Sequence, residues 1–209
     1  LIAERHGTPA ERIRIIPRGV DPRRFDPALV VPERLALLRA TWDVPEGYPV
    51  VLLPGRVTRW KGQGVLVEAM AALPGNARAL LVGNQGGKRG FAAELEARIA
   101  ALGLGGRVRL VGHAEDMAAA LLLADVVVHA STDAEAFGRT VIEAQAMARP
   151  VIASDLGGPR ETVADGVTGW RVPPGDAAAL AAALTRVLAM PASERAAIGA
   201  AARRAVLTH

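Results

Sequence analysis

The chain has 209 residues, 51% hydrophobic, 22% charged and 3% aromatic, with no cysteine and a formal charge of +4. That length fits one generous domain or two small ones, and the apolar share excludes wholesale disorder. The absence of cysteine excludes a disulfide scaffold, a thiolate metal site and a cysteine nucleophile, and it fits a cytoplasmic location.

Residues 1–31 hold Pro17, Pro22 and Pro27 and lack any strand–helix alternation, so 1–32 is expected to be a connector and 33–209 the domain. The first residues, Leu-Ile-Ala-Glu-Arg, carry neither an initiator Met nor a signal-peptide pattern, and the sequence is read as a piece of a longer chain. Strands are predicted at 50–53, 77–82, 107–111, 125–130, 151–153 and 170–172, each a short aliphatic run. Helices are predicted at 62–73, 91–102, 115–123, 139–148, 176–190 and 193–207, with Asp176 as an N-cap, Ser193 opening the last, and a short helix begun by Pro159. Asp125 and His129 interrupt the richest apolar run, which falls short of the roughly 18 residues a membrane-spanning helix needs.

Continuous aliphatic strands alternating with helices predict an α/β, Rossmann-like three-layer sandwich with a mainly parallel sheet covered on both faces. Ligands of such sheets bind outside the carboxyl ends of the strands. Here those ends are Gly55-Arg56, Gly83-Asn84, Gly112-His113, Ser131-Thr132-Asp133 and Ser154-Asp155-Leu156-Gly157-Gly158.

Two nucleotide motifs fail. Gly55, Gly62 and Gly64 have the wrong spacing for a dinucleotide fingerprint, and Gly83 to Gly87 encloses three residues where a phosphate-binding P-loop needs four. His6, His113, His129 and His209 show no metal-ligand spacing, so each is expected to be a core or surface histidine. Only Lys61 and Lys88 are lysines; all other basic residues except histidine are arginine. No basic run is interleaved with aromatics, so no nucleic-acid partner is expected, while attraction to anionic ligands or to a membrane surface stays open.

Three segments carry chemistry. In Gly55-Arg56-Val57-Thr58-Arg59-Trp60-Lys61-Gly62 the glycine lets backbone approach a ligand, and Arg56 and Lys61 can flank a diphosphate; the alternative is a solvated basic loop. Around Glu143 the predicted helix is apolar on nearly every side, with Val141, Ile142, Ala144, Ala146 and Met147. Burying an unpaired carboxylate costs several kcal/mol, so Glu143 needs a partner such as an internal arginine, or a polar crevice. Glu135 precedes that helix, where a solvent-facing acid is the simpler reading, and the free N–H groups beyond Phe137-Gly138 can meet hydroxyl or phosphate oxygens. Gly157-Gly158 before Pro159 marks a tight turn or a ligand against bare backbone.

Glu135-Ala136-Phe137-Gly138-Arg139-Thr140-Val141-Ile142-Glu143, with two glutamates eight apart, resembles the signature of family 4 retaining glycosyltransferases. Gly55-Arg56 to Lys61-Gly62, Ile16-Pro17-Arg18-Gly19-Val20-Asp21 with Phe25, and Pro150-Val151-Ile152-Ala153-Ser154 with Gly157-Gly158 match that family in order and spacing. The resemblance implies the C-terminal half of a GT-B enzyme, which binds a nucleotide-diphosphate sugar (UDP-, GDP- or ADP-linked) while an N-terminal domain outside this chain holds a sugar or lipid-linked acceptor. It implies a diphosphate site at Gly55, Arg56, Lys61, Arg139 and Thr140, a sugar site at Glu135, Phe137 and Gly138, ribose at Glu143, and the nucleobase near Arg107-Val108. Glu135, Lys61 and Arg56 would be the catalytic residues. It further implies retention of configuration with neither metal nor cofactor, an isolated half that is inactive, and work in the cytoplasm or at its membrane surface on glycans, polysaccharides or glycolipids. Arg18 stands where that family usually has Asn, Ala136 where Pro or Gly is common, and Ala148 where Gly often precedes the strand. Two rivals are a sugar-nucleotide-binding module without catalysis and a sugar-nucleotide 2-epimerase on a related fold.

Overall fold

The computed structural model describes residues 7–14, 18–84 and 89–208. Ile16 and Pro17 of the entering motif, Gln85 to Lys88 in the glycine-rich loop, and His6 and His209 lie outside the described residues.

Six strands form one sheet: β1 (Val50–Pro54), β2 (Arg78–Val82), β3 (Val108–Gly112), β4 (Val126–His129), β5 (Val151–Ser154) and β6 (Trp170–Val172). Their order is β3-β2-β1-β4-β5-β6 and every pairing is parallel. The helices are α1 (Pro32–Thr41), α2 (Gln63–Ala72), α3 (Arg89–Ala101), α4 (Met117–Leu123), α5 (Arg139–Ala146), α6 (Pro159–Thr162), α7 (Ala177–Ala189) and α8 (Ala192–Leu207). The expected three-layer Rossmann-like sandwich is therefore present, with each predicted strand and helix in place.

The sheet is covered on both sides because β1 is apolar at every position and β4 at all but its last, His129, and both strands bury every residue. Side chains alternate along a strand, so Val51 and Leu53 enter the core under α2, α3 and α7, whereas Val50 and Leu52 enter the core under α4 and α5. Leu66, Met70, Leu180 and Leu184 close the first core; Leu121, Val141, Ala144 and Met147 close the second. Asp125 fixes where β1 meets β4: its Oδ2 accepts the Val50 N–H at 2.8 Å, at the start of the ladder Val51↔Val126, Leu52↔Val127.

Three local features depart from the sequence reading. Helix α1 was not expected; it buries none of its residues fully, but Trp42 and Val44 beyond its end do enter the core. The stretch before α1, expected to be a connector, packs against α8: Phe25 is buried, its carbonyl accepts from Arg203 at 3.2 Å, and Asp26 pairs with Arg203 at 3.1 Å. Ser193 does not cap α8, whose N-cap is Pro191 with no side-chain bond, whereas Asp176 does cap α7 by accepting the Ala179 N–H. No described helix is long and apolar enough to cross a membrane.

Two backbone positions explain residue choice. Gly62 has φ +72°, and a Cβ there would lie 1.9 Å from the Ala130 carbonyl oxygen, so only glycine lets the loop after β1 rest on the end of β4. Ala148, just after α5, has φ 53°, the left-handed region that costs an alanine about 1 kcal/mol. That strain is the physical reason a glycine suits this position. Ala148→Gly is accordingly expected to raise stability by up to about 1 kcal/mol, read as a higher urea midpoint; an unchanged or lower midpoint would show that the strain is absorbed elsewhere.

Candidate active site

Strands β1 to β3 run outward from the middle of the sheet in one direction and β4 to β6 in the other, so the chain order reverses between β1 and β4. A crevice opens at that switch point, beyond the carboxyl ends of the strands. The loop after β1 and the loop after β4 form its floor. They are joined where the Thr132 N–H donates to the Trp60 carbonyl at 2.8 Å and where Gly62 meets Ala130.

After β1, Gly55 N–H donates to Val82 O at 2.8 Å, Val57 N–H to Asn84 O at 3.0 Å, and the buried Gln63 amide to Arg56 O at 2.9 Å. These bonds hold the loop so that the 3-10 turn Arg59–Lys61 folds back toward β4. The Lys61 stem packs over Gly55, its ammonium lies 4.4 Å from the centre of the Trp60 ring, and the side chain is only 14% exposed. Arg56 is exposed beside it.

After β4, Glu135 turns inward. It is 13% exposed, forms an ion pair with Lys61, accepts from Ser131 Oγ at 2.7 Å and lies 3.1 Å from His129 Nε2. Burial alone would push its carboxyl up, but the bonds from His129, Lys61 and Ser131 outweigh burial and bring it down to about 2. The simpler expectation of a solvent-facing acid does not hold. Its loop is locked by the glycine pair: Gly158 N–H donates to Glu135 O at 2.8 Å, and a Cβ on Gly158 would lie 2.5 Å from Phe137 Cα. The bare backbone at Gly157-Gly158 therefore packs against residues 135–137.

Helix α5 starts at Gly138 with no side-chain cap, which leaves its leading N–H groups at the crevice. One turn on, the Glu143 side chain is as buried as that of Glu135 and lies 3.2 Å from Arg139, a largely exposed partner on its own helix and not an internal arginine. Burial pushes its carboxyl up, opposed by Arg139 and Arg24. The crevice has two connected parts. One of about 860 Å3 is lined by Arg18, Lys61, Glu135, Phe137 and Gly138. The other, about 430 Å3, is lined by Arg24, His113, Glu115 and Glu143, and both share Arg56, Arg139 and Thr140.

Of the residues singled out in the sequence, Gly55, Arg56, Lys61, Glu135, Phe137, Gly138, Arg139, Thr140 and Glu143 gather here. Arg107 and Val108 do not. Because β3 is parallel to the rest, its start at Val108 lies at the opposite end of the sheet. Arg107 there donates to Leu73 O at 3.0 Å, at the C-terminus of α2, and faces a separate cavity with Arg78 and Arg109. His113 and Glu115, beyond the other end of β3, are the residues that reach the crevice. The sequence reading also missed His129 and Arg24 as site residues, and it named Ser131 only within the strand end Ser131-Thr132-Asp133. The one signal for His129 was its two-residue spacing from Ser131 at the end of β4, just ahead of Glu135. Among the described residues, no group of three or more His, Asp or Glu side chains is placed to hold a metal ion.

The family described as Glycosyl transferases group 1 matches residues 36–205. The chain belongs to that family. It is 36% identical over 204 residues to a D-inositol 3-phosphate glycosyltransferase of Xylanimonas cellulosilytica, covering 96% of this chain and 48% of that one. A glycosyltransferase from Rickettsia africae superposes with a TM-score of 0.96 at 36% identity, over 99% of this chain and 55% of that one. Anabaena HepE, solved with UDP and glucose and with UDP-glucose, superposes with a TM-score of 0.89 at 31% identity, over 98% and 55%. The chain thus spans about half the length of the relatives it matches, the share expected of one half of a GT-B glycosyltransferase.

Glu135 makes stability depend on pH. Its folded value of about 2 lies below the ordinary ~4.3 of a free glutamate, so its contribution is complete above about pH 5 and is lost as pH falls toward 2. Glu135→Gln is expected to cost on the order of 2 kcal/mol at pH 7, with the gap to wild type narrowing steadily toward pH 2. Urea midpoints at several pH values measure it; a gap that does not change with pH would sink the assignment.

Proposed function

We propose that this chain is the donor-binding half of a retaining glycosyltransferase and that its crevice holds a nucleotide-diphosphate sugar, with UDP as the nucleotide. One observation carries the reading: five basic side chains (Arg18, Arg24, Arg56, Lys61 and Arg139), an uncapped helix N-terminus and two inward-turned glutamates line two cavities that share Arg56, Arg139 and Thr140 at the switch point of the sheet. The HepE complexes with UDP and UDP-glucose, on the same fold at 31% identity, support the choice of base.

In the reaction, the bond between the anomeric carbon and the diphosphate oxygen breaks and its electron pair leaves with the diphosphate. A bond forms from that carbon to an acceptor oxygen, whose proton passes to the departing diphosphate oxygen, and the sugar keeps its configuration. Negative charge grows on the leaving diphosphate, where Arg56, Lys61 and the leading N–H groups at Arg139 and Thr140 stabilise it more than they stabilise the bound donor. Fixed cations and a helix end do this without a metal ion. Glu143, its carboxylate made less comfortable by burial, gains two hydroxyl donors when the ribose binds. Glu135, with the backbone at Phe137-Gly138, accepts from hydroxyls of the transferred sugar. The base lies near His113 and Glu115, in place of the earlier assignment to Arg107-Val108. The acceptor binds on the domain outside this chain, so this half alone binds donor but does not transfer. The acceptor is a sugar or a lipid-linked sugar, taken from the cytoplasmic side.

Calorimetric titration of the full-length protein with UDP, GDP and ADP, with and without magnesium, tests the reading. UDP is expected to bind most tightly and equally well in both conditions; no nucleotide binding, or binding only with magnesium, would overturn it. Lys61→Ala is expected to lower kcat about a hundredfold or more, the usual cost of one lost charge-stabilising donor. Glu143→Gln is expected to weaken UDP binding about tenfold while leaving the melting temperature close to wild type. A loss of stability with unchanged UDP affinity would instead make Glu143 a structural residue.

A further inference from the structure

Lys61 and Glu135 satisfy each other in the ligand-free crevice. On the reading above, the donor makes competing demands on them. Its diphosphate draws the ammonium, and the sugar hydroxyls need the carboxylate to stay where it is. A carboxylate whose main partner turns away must be retained by something else. Two side chains in the structure are placed for this and have no other evident task.

We infer that His129 and Ser131 are positioning residues that hold the Glu135 carboxylate for the transferred sugar once Lys61 has turned to the diphosphate. His129 is the last residue of β4, and its side chain is 4% exposed. Its Nε2 lies 3.1 Å from Glu135 Oε1 and 3.3 Å from Ser131 Oγ, while Ser131 Oγ donates to the same carboxylate oxygen at 2.7 Å. His129 closes a central strand and Ser131 follows two residues on, and both are buried where their side chains meet. Lys61, by contrast, reaches in on a flexible stem and is free to move without disturbing them.

The other imidazole nitrogen identifies the proton that does the holding. His129 Nδ1 is buried without a hydrogen-bond partner among the described residues. An unpartnered Nδ1 is met at least cost as a lone pair, which places a ring N–H on Nε2, 3.1 Å from Glu135 Oε1. His129 is thus a fixed donor to a carboxylate that stays ionised, the form needed to accept from sugar hydroxyls.

The test uses the full-length enzyme with UDP and UDP-glucose as probes, because only the second carries a sugar for Glu135 to hold. His129→Leu keeps the ring's approximate bulk and removes the N–H; His129→Gln restores a donor near the Nε2 position; Ser131→Ala removes the second bond alone. His129→Leu is expected to weaken UDP-glucose about tenfold and leave UDP unchanged, with Ser131→Ala giving a smaller loss of the same kind and His129→Gln recovering most of the affinity. Equal weakening of both ligands by His129→Leu, or no change in either, would overturn the inference. If wild type binds neither probe, the donor reading itself has failed, and 15N spectra of the His129 ring decide the positioning contact separately. A proton on Nε2 whose signal shifts in Glu135→Gln supports it, and a ring protonated on Nδ1 alone, or no shift, rejects it. The same spectra settle the matter if His129→Leu does not fold.

Discussion

Pairing of β1 with β4 is the constraint on which the site depends. These strands are far apart in the chain, and the loops that follow them can share a crevice only because the strands lie side by side with the same direction. Asp125 accepts the first N–H of β1, and both strands are buried along their whole length between two helical layers. A displaced register would carry Lys61 away from Glu135 and would bring the Ala130 carbonyl against a different residue from Gly62. The core thus positions the chemistry without contributing a reacting group.

Electrostatics in the crevice follow from that placement. Two glutamates in one loop-helix segment are driven in opposite directions: Glu135 down to about 2 by three donors, Glu143 up by burial that one exposed arginine only partly offsets. Lys61 and Glu135 neutralise each other, which offsets the desolvation of holding both inside before any ligand arrives. Backbone supplies the stiffness. The glycine pair at 157–158 packs directly on residues 135–137, so the segment bearing Glu135 is braced by atoms that have no rotamers to change.

Much of this was legible in the sequence. Strand-length aliphatic runs at 50–53, 77–82 and 125–130 could serve only a sheet buried on both faces, and the glycine-marked strand ends pointed to the crevice. Helix α1 was not legible because its leucines do not form one buried stripe, so the 3.6-residue signal is weak. Arg107 illustrates a different limit. An arginine at the start of a strand looks like one at its end until strand direction is known, and here it serves the C-terminus of α2. His129 failed for a related reason, since a histidine within an apolar strand reads as core, and it is core, but at the one edge where the core meets the site.

By itself the sequence determined the fold class, the edge of the sheet where ligands gather, the family resemblance, and the inward pull on Glu143 from an all-apolar helix. These are properties of local period and composition, which the chain carries without reference to its neighbours. Only the tertiary structure decided that Glu135 is an inward, ionised acid shared by Lys61, Ser131 and His129, and that His113 and Glu115 replace Arg107-Val108 at the crevice. Those facts depend on which strand ends are adjacent and which way each side chain faces, and contacts between residues far apart in sequence leave no periodic trace in it.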